Sequence, residues 1–151
     1  MQAALAVIVL LIGSIALARP IPARAATAAH ETAAKMRTLV WQYALRQRGK
    51  PYIWGDDGPR GFDCSGLVYA AYRAAGIALP RTTNGMLGSW RLVRISKSQA
   101  LRGDLAFFGT GHVEIYDYGR WTYGAADAGT RVGFHLMNAW WHPTMYFRVR
   151  A

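Results

Sequence analysis

The chain has 151 residues and a mass of 16.7 kDa, enough for one domain and too short for a multi-domain assembly. Its 52% hydrophobic content, with six Trp, eight Tyr and five Phe, excludes an intrinsically disordered chain. A single cysteine excludes an intramolecular disulfide and a Cys₂ or Cys₄ zinc site, while 18 Lys and Arg against 8 Asp and Glu leave a formal charge of +10 that suits polyanionic surroundings.

Residues 3–18, AALAVIVLLIGSIALA, form an uncharged apolar run, followed by Pro20, Pro22 and the small-x-small pattern Ala23-Arg24-Ala25. This predicts a secretory signal peptide over residues 1–25 and a mature domain over 26–151, free of the membrane once the leader is cut. The competing role is a retained anchor, for which the run is short: a spanning helix needs roughly 20 apolar residues. Losing Arg19 and Arg24 leaves 16 basic and 8 acidic residues, a net of +8, so the secreted or envelope-located product stays basic. Its one unpaired cysteine in an oxidising compartment invites a reactive-thiol role.

Apolar positions Met36, Leu39, Val40, Tyr43 and Ala44 fall on one face of a helix predicted from Thr32 to Arg48 and ended by Gly49. A second helix is predicted from Cys64 to Ala75, with Asp63 placed to cap it and Gly76 just past its end. GKPYIWGDDGPRG between them is irregular, and the chain after Pro80 reads as loop and a short helix up to Trp90. Strand-like runs follow at LAFF (105–108), HVEIY (112–116), RWTYGA (120–125) and MYFRV (145–149). Helices first and strands later predict an α+β fold, with N-terminal helices packed on a small antiparallel sheet.

Cys64 opens the second helix from a turn, near the positive end of the helix dipole and beside unpaired N–H groups. Both favour thiolate over thiol, and the same N–H groups suit an oxyanion. The bland alternative is a small buried hydrophobe. A thiol nucleophile needs a base, and His112 is placed for it: it opens HVEIY directly after Gly109-Thr110-Gly111, on a rigid element beside a loop. His30 reads as a solvated helix residue, and His135 and His142 as surface or packing residues. A metal set of His112, Glu114, His135 and Asp127 lacks any helical two-His spacing, so neither metal nor cofactor is expected.

GKPYIWGDDGPRGFDCSGLVYAAYRAAGIALPRTT, followed by LRGDLAFFGTGHVEIY, resembles the NlpC-type cell-wall peptidases, papain-like cysteine endopeptidases of peptidoglycan. The resemblance spans about Trp41 to Arg150. It implies Cys64 as a helix-borne nucleophile, His112 as its base on the sheet, and Tyr52, Asp63 and Ser65 lining the groove for the stem peptide. The implied reaction is hydrolysis between γ-D-glutamyl and diaminopimelate residues.

Cys–His enzymes usually carry a third group that orients the imidazole. If HVEIY and RWTYGA pair about Tyr118-Gly119, His112 faces Ala125, or Ala126 with a turn one residue longer. Relatives often carry His two residues after the equivalent of Gly124, where this chain has Ala126. Asp127 is adjacent and serves as the orienter only if a bulge turns it inward. This departure motivates an alternative function, a catalytically weak peptidoglycan-binding module on the same fold. Acyl transfer would need an acceptor site the sequence does not display. Nucleic acid is disfavoured as a partner because the Arg residues are scattered and no recognition motif appears. The expected partners of a monomeric protein are stem peptides and anionic wall polymers.

Overall fold

A computed structural model describes residues 23–151. Most of the leader assigned to residues 1–25 lies outside the described residues, and Ala23-Arg24-Ala25 form the start of the first helix.

Helix α1 runs Ala23–Arg46, beginning well before Thr32 because its Ala-rich early turns carry strong helix propensity. It buries Met36, Arg37, Val40, Trp41 and Ala44, whereas Leu39 falls on the flank and is half exposed. Gly49, at φ +82°, takes the left-handed turn that ends this segment. Helix α2, Cys64–Ala74, is capped by Asp63 as predicted, the carboxylate accepting the Gly66 N–H at 2.6 Å. It buries Leu67, Val68, Ala71 and Tyr72, and the Tyr72 hydroxyl donates to the Gly103 carbonyl at 2.7 Å. The short helix before Trp90 is α3, Thr83–Leu87, capped by Thr82.

Six strands form one antiparallel sheet: β1 (Leu92–Ile95), β2 (Leu105–Phe108), β3 (His112–Tyr116), β4 (Trp121–Gly124), β5 (Gly133–Leu136) and β6 (Met145–Val149), in the order β1-β6-β2-β3-β4-β5. Four of them match the predicted runs. The two extra strands, β1 and β5, are the sheet's edges. Their half-exposed residues carry a weak hydrophobic pattern, and pairing with β6 and β4 is what makes them strands. Leu105, Phe107, Val113, Ile115 and Tyr123 join α1 and α2 in the main core, while Ala106, Tyr116, Met137 and Tyr146 form a small cluster elsewhere on the sheet. This is the α+β arrangement the sequence predicts. Among the described residues no helix is long and apolar enough to cross a membrane.

The β3–β4 hairpin pairs Ile115 with Tyr123 and Tyr116 with Thr122. That is the longer of the two predicted turns, so Ala126 lines up with His112, although β4 itself ends at Gly124.

Candidate active site

Cys64 is the first residue of α2 and is 7% exposed. Asp63 takes up the N–H groups of Gly66, through its side chain, and Leu67, through its carbonyl. The N–H groups of Cys64 and Ser65 at the first two helical positions lack intrahelical acceptors and are oriented for an oxyanion. Burial raises the Cys64 pKa, but the hydrogen bond and charge of His112 and the Val113 N–H outweigh it, so the thiol ionises below its ordinary range. The tertiary contact with β3 thus adds to whatever the helix start supplies.

Two residues along β3 from His112, Glu114 lies on the same face of the strand. His112 Nε2 is 3.2 Å from Glu114 Oε1, which leaves Nδ1 as the ring nitrogen for the thiol. Phe108 and Trp141 shield the imidazole, with ring centroids 5.3 and 5.1 Å from it. Burial disfavours the charged ring, yet the hydrogen bonds to Cys64 and Glu114 and their negative charges push its pKa up to about 9. The two shifts both favour the thiolate–imidazolium pair.

The carboxylate beside His112 is therefore Glu114, and the assignment of Asp127 as orienter is corrected. Asp127 is exposed in the loop after β4, where its Oδ1 accepts the Ala128 N–H at 2.7 Å. No bulge turns it inward, because its own turn, closed by Thr130, satisfies it locally. The role given to His135 is corrected too: it stands on β5 with Nδ1 2.6 Å from the same Glu114 Oε1. His30 and His142 are exposed, as expected.

The groove beside Cys64, about 410 Å³, is lined by Trp54, Asp63, Ser65, Arg81, Asn84 and Thr110 among others. Arg81 is the residue the sequence left without a role. Its guanidinium spans both Asp63 oxygens at 2.9 Å, donates to Ser65 Oγ at 3.1 Å and caps the Asp56 carbonyl at 2.9 Å. A side chain at Gly66 would collide with that carbonyl and crowd Arg81, so the glycine lets the helix start sit against the loop. Burial, and then the charges of Cys64, Asp63 and Asp127, raise the Tyr52 pKa, but unlike Asp63 and Ser65, Tyr52 is not among the residues that line this groove. A signal for Arg81 existed: a capping aspartate at a crowded helix start calls for a cation, and Arg81 follows Pro80 in the segment that carries the resemblance.

The NlpC/P60 family profile matches residues 49–150. The chain belongs to the NlpC/P60 family. It is 36% identical over 121 residues to the bifunctional muramidase/DL-endopeptidase CwlT of Bacillus subtilis, covering 74% of this chain and 36% of CwlT. It is 43% identical over 97 residues to the murein DD-endopeptidase MepH of Escherichia coli, covering 58% of this chain and 36% of MepH. The chain thus spans only about a third of the length of these curated relatives. Among solved structures, the peptidoglycan hydrolase RipB of Mycobacterium tuberculosis aligns with a TM-score of 0.70 at 25% identity, covering 89% of this chain and 75% of RipB. A Staphylococcus aureus protein of the NLP/P60 family, similar to lipoprotein, aligns with a TM-score of 0.67 at 31% identity, covering 77% and 42% of the two chains. Within this NlpC/P60 domain, Cys64 and His112 come from the two motifs that carry the resemblance.

Proposed function

We propose that this protein is a secreted or envelope-located peptidoglycan hydrolase that cuts stem peptides between γ-D-glutamyl and diaminopimelate residues through Cys64 and His112. The observation that carries it is the contact between a thiol at a helix N-terminus and a shielded imidazole, beside an open groove in an NlpC/P60 domain. The Cys64 sulfur attacks the scissile carbonyl, and the oxygen's developing charge meets the Cys64 and Ser65 N–H groups. The C–N bond breaks as the imidazolium gives its proton to the departing amine. Water, losing a proton to His112, then hydrolyses the thioester and frees the thiol. Asp63 and Ser65 line the side of the groove that holds the stem peptide, with Arg81 fixing both and Tyr52 near enough to feel the charges of Cys64 and Asp63. The basic surface holds the protein on anionic wall polymers, an attraction that salt weakens. The motive for a merely wall-binding module was a missing orienting group, and Glu114 stands where such a group is needed.

Incubation with purified muropeptides, followed by mass analysis, tests this. The expected products carry a new D-glutamate γ-carboxyl and a new diaminopimelate amine. Muropeptides left intact by a protein whose Cys64 still alkylates as a thiolate would overturn the hydrolase.

A further inference from the structure

Glu114 is fully buried in mid-strand, where an ionised carboxylate persists only if its oxygens are well supplied with donors. They are. Oε1 meets both His112 and His135, and Oε2 accepts the Thr122 hydroxyl. The donors come from β3, β4 and β5, which the register brings onto one face, Thr122 lying opposite His135. Burial works against the ionised form, but these bonds and the His135 charge hold the carboxyl at about 2.

The space for this carboxylate is made by a residue that has no side chain. Continuing the β3–β4 register sets Glu114 opposite Gly124, and a Cβ on Gly124 would stand 2.6 Å from Glu114 Cγ and 2.8 Å from its Cδ and Oε1. A carboxylate from position 114 and a side chain at position 124 therefore exclude one another. His112 faces Cys64 from α2 on one side and Glu114 on the other, with the uncharged rings of Phe108 and Trp141 packed around it. His135 reaches Glu114 rather than His112, and Asp63 and Tyr52 lie on the Cys64 side.

We propose that Glu114, seated over Gly124 and clamped by Thr122 and His135, is the positioning residue that holds His112 toward Cys64, with His135 acting one step further out by fixing Glu114. This deepens the thiol-hydrolase assignment and rests on it. A group delivered along the same strand replaces one delivered across the hairpin. Removing the charge while keeping the shape should lower the basicity of His112 and weaken the thiolate–imidazolium pair. Filling Gly124 should do the same by pushing the carboxylate off its seat.

The experiment uses the single cysteine of the full chain: the iodoacetamide alkylation rate of Cys64 against pH, with muropeptide kcat and KM alongside. In the wild type, alkylation should show an ion-pair plateau bounded by the thiol and His112 titrations. Glu114→Gln and Gly124→Ala should each narrow that plateau by about one pH unit or more, since a neighbouring opposite charge typically moves a pKa by about 1–3 units. Both should lower kcat by about 10² or more with KM nearly unchanged. His135→Ala should narrow the plateau less than Glu114→Gln. Glu114→Gly combined with Gly124→Asp, which returns a carboxylate from the opposite strand, should widen the plateau relative to Glu114→Gly alone. A wild-type alkylation profile in Glu114→Gln would overturn the proposal, as would a Gly124→Ala protein that keeps both the wild-type profile and kcat. Because alkylation needs no muropeptide, the relay can be confirmed or refuted even if the protein cleaves none of the muropeptides offered.

Discussion

Lowering the pH should cost the protein more stability than it costs the Glu114→Gln variant, by an amount the structure bounds. The Glu114 carboxyl titrates at about 2 in the fold against 4.5 without it. Between those values the unfolded chain binds the proton and the native one does not. Stability from this group is thus fully present above pH 4.5 and drains away as pH falls through 2. A displacement of that size corresponds to at most about 3 kcal/mol. Urea unfolding followed by tryptophan fluorescence at pH 6, 4 and 2.5 measures it, and other carboxylates cancel in the difference between wild type and Glu114→Gln. With a urea m-value of about 1–3 kcal/mol/M, the wild-type midpoint should fall by about 1 M or more beyond the fall in the variant. At pH 6 the variant should be the less stable of the two, because it leaves His112 and His135 without their anion, and the gap should close as the pH falls. Parallel stability profiles for the two proteins would refute the idea that Glu114 is ionised in the fold and held by those histidines.

Cys64→Ala should abolish muropeptide cleavage while thermal unfolding shows a folded protein, and Cys64→Ser should be nearly as inactive because its alcohol stays un-ionised at this helix start. His112→Ala should lower turnover by about 10² to 10⁴, against little change for the exposed His30→Ala and His142→Ala, measured on the same muropeptides. Arg81→Ala should raise KM through the loosened Asp63 and Ser65, and should cost about 1–3 kcal/mol in urea unfolding, at the lower end because the guanidinium is 28% exposed. An unchanged KM would separate Arg81 from the groove.

The place of Cys64, the proposed nucleophile, was legible in the sequence because everything that fixes it is local. Asp63, Cys64 and Gly66 lie within one helical turn, so capping preference, dipole and the amphipathic run behind them fix the sulfur at the helix start without reference to the rest of the chain. The strand alternation of HVEIY likewise puts His112 and Glu114 on one face, a consequence of the two-residue pleat alone. What the sequence reading missed was Glu114 as the partner of His112 in place of a residue across the hairpin. That choice depended on a turn one residue longer, on the empty volume at Gly124, and on an edge strand too short and too exposed to announce itself, which brought His135 to the carboxylate. Arg81 and Trp141 belong to the same class, for each reaches its partner across a long stretch of chain. Local preferences decide which elements form and which ends carry chemistry. The register between strands, and hence which buried charge meets which ring, follows from packing energies shared among residues that no short window of sequence contains.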